Sequence, residues 1–449
     1  MSKDDNEDDN APQQLISVRD GIALIVGMVI GAGIFKAPSI VAGNTGSATE
    51  FLLAWVFGGI ASLCGALVYA ELSGRFPETG GEYRFLSRAF GSGTAFVFAW
   101  SRMTVIQTGA IAAVSFVFGD YAQQILPLGV QGGAIYAAFG VLALTALNLA
   151  GTPQSKALQS LMSLTLVAGL AAIAVAGLVA PVPAAAAVAA AAAKPVAGDF
   201  GLAMIFVLLT YGGWNEAAYI AGEVHHPRRN MIRILIGGIL VITVLYLLVN
   251  LGYLAALGMD GMRASKAVAA DVMRVSFGEG SAIMLALIVC VAALTTMNAA
   301  ILTGARSSFA FGRDFGMFRV LGDWRASGST PANALLAQCA VSVALIGASA
   351  FTPDGFSAMV AYTSPVFWTF FLLCGAALFV FRARDGAPES FKVPLYPVVP
   401  ILFCAACAYM LYSSVNYIRF AVAFGVAVLV GIAVMAIGIP LYLAARRSR

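Results

Sequence analysis

The sequence predicts an all-α polytopic membrane protein of twelve spanning helices, and three observations carry that prediction. Hydrophobic residues make up 60% of the 449 residues against 11% charged, a balance that one soluble core cannot hide when ordinary domains carry about 25% charge. Apolar runs of spanning length, about 20 residues, recur along the chain between short polar punctuation. Lys and Arg gather in alternate loops, as the topology of an inserted chain requires.

In chain order, the acidic start MSKDDNEDDN has no basic stretch ahead of a short apolar core and no cleavage site. Residues 1–20 therefore read as a disordered cytoplasmic tail rather than a signal peptide. The first span, near 21–43, contains VGMVIGAGIFKAPS. Each glycine there costs a helix roughly 1 kcal/mol against alanine, so Gly31 and Gly33 either admit a neighbouring helix closely or let the backbone open. Spans near 51–75, 94–120, 131–150 and 157–180 complete a first unit, 21–180. The alanine-rich run PVPAAAAVAAAAAKPVAGD at 181–199 has no side chains for chemistry and reads as an extracellular spacer. A second unit, 200–382, holds spans near 200–222, 231–257, 281–310, 332–351 and 356–381. The last two spans, near 394–413 and 418–444, fill 383–444 and leave 445–449 as a cytoplasmic end. The connecting segments 76–91 and 311–331 mix aromatic and basic residues, as interfacial segments do.

Of the 26 Lys and Arg, only Lys194, Arg263, Lys266, Arg274 and Arg419 fall in outer loops. Lys36 and Arg102 fall within spans, both long enough to snorkel, and all the others fall inside, so both termini are expected in the cytoplasm. The net charge of +4 comes largely from those inner loops, and no aromatic-interleaved basic domain indicates a nucleic-acid partner. The six cysteines all sit in apolar spans rather than in outer loops, which argues against disulfides, including one to an accessory subunit. Cys404 and Cys407 have redox-motif spacing but no βαβ context. His225 and His226 beside Glu223 precede Pro227 in a basic turn, a poor setting for a metal. There is no nucleotide-binding glycine loop with lysine and no H-E-x-x-H, so neither an enzyme, a primary pump nor a cofactor is indicated.

The sixth span, AMIFVLLTYGGWNEAAYIAGEV, is interrupted by Gly212-Gly213 much as the first is by Gly31-Ala32-Gly33. Paired breaks in corresponding spans of two halves point to an inverted-repeat transporter with its substrate at mid-membrane; helix packing through small residues is the alternative. Unwinding frees N–H donors suited to a carboxylate and carbonyls suited to an ammonium. An amino acid carries both groups on one carbon.

GMVIGAGIF, then WVFGGIASLCGALVYAELSGRFPETGGEYRFL, YGGWNEAAYIAGEVHHPRRN, LTTMNAAILTGARSSFAFGRD and ESFKVPLYPVVP, in that order, resemble the amino acid–polyamine–organocation transporters over about residues 20 to 420. YGGWN followed by a glutamate and P-x-R-N is similar to the L-type amino acid transporter branch, and the overall plan is also similar to arginine/agmatine antiporters. The resemblance implies a five-plus-five inverted repeat with discontinuous helices 1 and 6 and two further helices. It implies that the amides of Ala32 and Gly33, with Val29 alongside, hold a substrate carboxylate, and that the carbonyls of Leu209 and Gly212 take the ammonium. Gln107 falls where the antiporters have a polar residue near the substrate, Asn215 where they have an acidic one, Asn298 where L-type members have asparagine, and Ala299 where an antiporter has a gating tryptophan. The pocket so assembled is neutral and roomy, which favours an uncharged amino acid. Interhelical hydrogen bonding is the competing role for Gln107 and Asn298.

Glu216, in the first turn after the second break, either binds a cation or proton or simply complements a half-helix dipole. Glu71 and Glu223 read as members of an inner-gate network with Arg75, Arg228 and Arg229, with ordinary interfacial ion pairing as the default alternative. Many relatives place a lysine in helix 5 where sodium-coupled transporters of this fold hold an ion; aligned by its glutamine, LQSLMSLTLVAGL puts Leu166 there. Substrate exchange or facilitated diffusion follows as the expectation, with Thr165 and Thr296 the remaining oxygens near an ion site. A cationic amino acid or polyamine antiporter and a non-transporting sensor are the rival classes.

Overall fold

In the computed structural model of the protein, the structure describes residues 16–76, 81–151, 156–179, 198–215, 224–324, 330–388, 391–416 and 422–447. The expected tail through residue 15, most of the alanine-rich spacer, and Glu216 and Glu223 lie outside them. Among the described residues nine helices are long and apolar enough to cross a membrane, and the chain is a multi-pass helical membrane protein.

The helices run α1 (Val18–Val29), a 3-10 turn (Ala32–Phe35), α2 (Ala37–Gly43), α3 (Ala48–Arg75), α4 (Gly81–Phe90), α5 (Ser92–Ser101), a π turn (Arg102–Ile106), α6 (Gln107–Ile125), α7 (Gly132–Leu149) and α8 (Lys156–Val179). They continue with α9 (Phe200–Thr210), α10 (Pro227–Ala264), α11 (Val268–Phe277), α12 (Glu279–Asp314), a 3-10 stretch (Gly316–Gly322), α13 (Ala332–Ser349), α14 (Gly355–Asp385), α15 (Val398–Asn416) and α16 (Val422–Arg447).

Local chemistry fixes several starts. Ser47 Oγ accepts from Glu50 N–H at 3.2 Å while the Glu50 carboxylate accepts from Gly46 N–H at 2.7 Å, a reciprocal cap that opens α3. Asp199 accepts from Leu202 N–H at 3.2 Å and starts α9 in the same way. The long helices are apolar all round, and exposure rather than polarity distinguishes their faces. In α10, Leu240, Val244, Leu248 and Leu251 form an exposed strip, while Ile239, Ile242, Tyr246, Val249 and Tyr253 on the other side are buried.

That buried face of α10 lies against α1, α3 and α8, and α12 lies against α6 and the 3-10 turn after α1. Helix α14 lies against α6, α15 and α16. Helix α1 lays one face on α10 and leaves the other exposed, whereas α9 is largely buried against α2, α3 and α15.

Three features differ from the expectation. Residues 257–281, read as an outer loop, contain α11, and α10 runs on past a non-helical Gly258 at φ 65°. The third span contains a π turn at Arg102–Ile106, immediately before Gln107. Lys36 and Arg102 are each held in an ion pair rather than reaching free to solvent, Lys36 with the partly exposed Asp120 at 2.7 Å and Asp354 at 3.5 Å, Arg102 with the buried Glu82 at 3.1 Å. At depth a neighbouring carboxylate neutralises the charge more completely than a stretched side chain does.

Candidate functional site

The first glycine-marked break is present, and α9 ends at the second glycine pair, here called the second break, which faces the first. Helix α1 stops at Val29; Ile30 N–H still reaches Val26 O, but Gly31 is extended at φ −112°, ψ −167°. The turn Ala32–Phe35 then closes with Lys36 N–H on Gly33 O at 3.0 Å. Ala32 and Gly33 open this i→i+3 ladder, so their amides have no partner within it.

In α9 the last regular bond runs from Tyr211 N–H to Val207 O at 3.0 Å, after which Gly212 N–H turns back to Leu209 O at 3.0 Å. Gly213 has φ 112°, and a Cβ on it would stand 2.7 Å from Met28 O and 3.3 Å from Val29 Cα. Only glycine satisfies both the dihedral and the contact. The approach is returned from the other side: a Cβ on Gly33 would lie 3.3 Å from Thr210 Oγ1 and 3.5 Å from Thr210 Cα. Each break therefore abuts the end of the other helix. One side chain touches both, since Tyr246 Oη lies 3.1 Å from Val29 O and 3.1 Å from Thr210 O.

The expected polar walls occupy two regions. Gln107 Nε2 donates to Ala300 O at 2.7 Å and Thr303 Oγ1 at 3.3 Å, joining α6 to α12. Asn298 Oδ1 accepts from Asn148 Nδ2 at 2.7 Å, joining α12 to α7. Two residues before Asn298, Thr296 stands beside the first break, its Cγ2 3.7 Å from where a Gly31 Cβ would be. The stretch 296–303 of α12 thus connects these residues to the break. Ala299 is on the exposed stripe of α12 with Val291 and Thr303, whereas Val29 and Ala32 are buried and Leu209, Gly33 and Gly212 half-buried. Asn215 is buried just past the second break and donates to Glu82 Oε1 at 3.1 Å.

Glu82 was not singled out from the sequence. It projects from α4, is 3% exposed, and accepts from Tyr69 Oη at 3.1 Å and from Arg102 as well as Asn215. Its signal was weak because its partners lie on α3, the π turn and the second break, distant in sequence. On the side of α9 turned toward α3, α14 and α15, Leu208, Gly212, Trp214, Phe371 and Phe403 line an apolar cavity, with little to offer a charged head group.

Glu71 lies at the arginine-rich end of α3 and is fully buried. Arg382 forks onto its carboxylate with two bonds of 2.7 Å, Val393 N–H donates at 2.8 Å, and Arg75 stands at 3.4 Å. Of the expected network the structure pairs Glu71 with Arg75 but makes Arg382, not foreseen from the sequence, the principal partner, while Arg229 is exposed. Glu223 lies outside the described residues. Among the described residues no group of three or more His, Cys, Asp or Glu could hold a metal ion.

A family model described as amino acid permease matches residues 16–443. Curated proteins similar to the chain include the serine/threonine exchanger SteT of Bacillus subtilis, 27% identical over 98% of this chain and 99% of that protein. The mouse b(0,+)-type amino acid transporter 1 is 29% identical over 87% of this chain and 81% of its own length. The human large neutral amino acids transporter small subunit 2 is 28% identical over 95% and 79%.

Proposed function

Because the chain belongs to the amino acid permease family, within the amino acid–polyamine–organocation superfamily, and is an amino acid transporter rather than an enzyme, we propose that it exchanges neutral L-amino acids across the cell membrane by alternating access. The observation that carries this reading is the pair of breaks packed end against end. The amides of Ala32 and Gly33 offer donors to a carboxylate, and the carbonyls of Leu209 and Gly212 offer acceptors to an ammonium. In this reading the chain crosses the membrane twelve times as two inverted five-helix repeats, 21–180 and 200–382, followed by two further helices. Both termini lie in the cytoplasm, so that the arginine-rich end faces inward.

Neutral selectivity is supported by the side chains near the breaks, Thr210, Thr296, Gln107 and Asn298, which carry no formal charge. Among the described residues, Glu82, which accepts from Asn215 just past the second break, is already paired with Arg102. Names of similar proteins, an exchanger for serine and threonine and a transporter for large neutral amino acids, favour the same class. All six cysteines lie in helices rather than in outer loops, which favours transport without a disulfide-linked partner chain.

Counterflow in proteoliposomes tests the proposal. Vesicles preloaded with unlabelled serine, alanine or leucine should accumulate external labelled neutral amino acid, with little competition from arginine or putrescine. Strong competition by arginine or putrescine selects the cationic antiporter instead. Binding without counterflow selects the sensor.

A further inference from the structure

Interrupting a helix inside a membrane releases carbonyls that have no water to bind. Around the first break three buried tyrosines meet them. Tyr121 of α6 donates to Phe35 O at 2.8 Å, Tyr253 of α10 to Ile34 O at 3.4 Å, and Tyr246 of α10 reaches Val29 O and Thr210 O. Tyr246 differs from the other two because its acceptors are the terminal carbonyls of two different helices. With a single proton, its hydroxyl holds them through a shared bond.

The ring has little freedom to do otherwise. Tyr246 is fully buried, edge-on to Trp55 at 5.8 Å and to Tyr211 at 5.1 Å. Tyr211 is itself the first residue of the second break, and its hydroxyl donates to Trp55 O at 3.0 Å. The Tyr246 oxygen is therefore placed by α10, which carries it, with Trp55 of α3 and Tyr211 of the second break packed on its ring.

We infer that Tyr246 is a positioning residue for the head group of the transported amino acid. It holds the end of α1 and the end of α9 in register, so that the amides of Ala32 and Gly33 confront the carbonyls at the end of α9 at the fixed spacing an α-amino acid presents. This rests on the head-group reading above and names the side chain that keeps that site assembled. Because every α-amino acid shares the head group, the contribution of Tyr246 is the same for all substrates.

The test measures dissociation constants of purified protein for alanine, serine, leucine and phenylalanine by ligand-dependent thermal shift. Wild type must first bind some of them; if it binds none, the functional reading fails before the role of Tyr246 is reached. Tyr246→Phe keeps the ring and removes only the hydroxyl. Affinity is expected to fall about tenfold for each amino acid, the scale of one lost hydrogen bond, with the ranking unchanged. Wild-type affinity in Tyr246→Phe, or a loss confined to some side chains, overturns the inference. If Tyr246→Phe is not recovered folded, p-aminophenylalanine placed at 246 restores N–H donors on the same ring. Affinities within about threefold of wild type then support the inference, the scatter expected of an exchanged donor, and a uniform loss larger than that overturns it.

Discussion

In the proposed head-group site, Gly33 acts through what it lacks. Its missing side chain leaves the amide open, and the space a Cβ would take is bounded by Thr210 at 3.3 Å, close enough that alanine needs the threonine to give by a few tenths of an ångström. Valine needs far more, and it would push α9 away from the first break while covering the amide. A head-group misplacement of about 1 Å costs on the order of a hundredfold in rate by analogy with enzymes. Gly33→Ala should therefore retain partial uptake and Gly33→Val almost none, with both proteins inserted in the membrane at wild-type levels. Normal transport by correctly inserted Gly33→Val would remove the backbone cradle. Gly33 and Gly213 were legible in the sequence because a glycine that weakens an apolar helix has few other reasons to be there. The partners of the polar residues were not. Gln107 and Asn298 could be named as pocket walls, yet their bonds to Ala300 and Asn148 depend on which helix faces face each other, which residue type does not encode.

At the scale of the element, the spans were legible because bilayer thickness dictates their length and composition. Among the described residues, apolar helices follow the expected chain order, the first interrupted after Val29 and α9 ending at Thr210, just before the second glycine pair. The short helix α11 and the π turn at Arg102–Ile106 were not legible. A ten-residue helix is too short to carry a spanning signal, and a switch to i→i+5 bonding is decided by packing and by which side chains satisfy the released carbonyls. Here Thr108 Oγ1 and Tyr362 Oη both donate to Thr104 O. The ties between elements are where single charges matter most. Glu71 is fully buried and joins α3 to α14 through Arg382 and to the segment before α15 through Val393. Removing one partner of such a buried pair costs about 3–5 kcal/mol, whereas replacing both by apolar groups is often neutral. Arg382→Ala should lower the melting temperature of the purified protein substantially, and Glu71→Leu combined with Arg382→Met should recover most of the loss. A single variant as stable as wild type would show that the fork contributes nothing to holding the two helices together.

Across the whole molecule, the same tyrosines that support the breaks bear on how transport is driven. Sodium-coupled carriers of interrupted-helix architecture hold the ion on unwound carbonyls. In this protein Val29 O and Thr210 O are engaged by Tyr246, Ile34 O by Tyr253 and Phe35 O by Tyr121. Thr296, the oxygen nearest the first break on α12, donates its hydroxyl to Ala292 O at 3.1 Å. On α8, the position aligned with an ion site or its substituting lysine is Leu166, buried among apolar residues, which offers neither an oxygen nor a titrating group. Lys156 sits ten residues earlier, too far at a rise of about 1.5 Å per residue to stand in for it. If no cation carries the energy, net accumulation comes from the gradient of another amino acid. Proteoliposomes without internal substrate should take up labelled amino acid only to equilibrium, whether or not sodium is graded inward, and preloading should stimulate uptake strongly. Sodium-driven accumulation into empty vesicles would sink this account. Accumulation driven by a pH gradient, and lost in Glu216→Gln, would replace it with proton symport through the carboxylate that follows the second break.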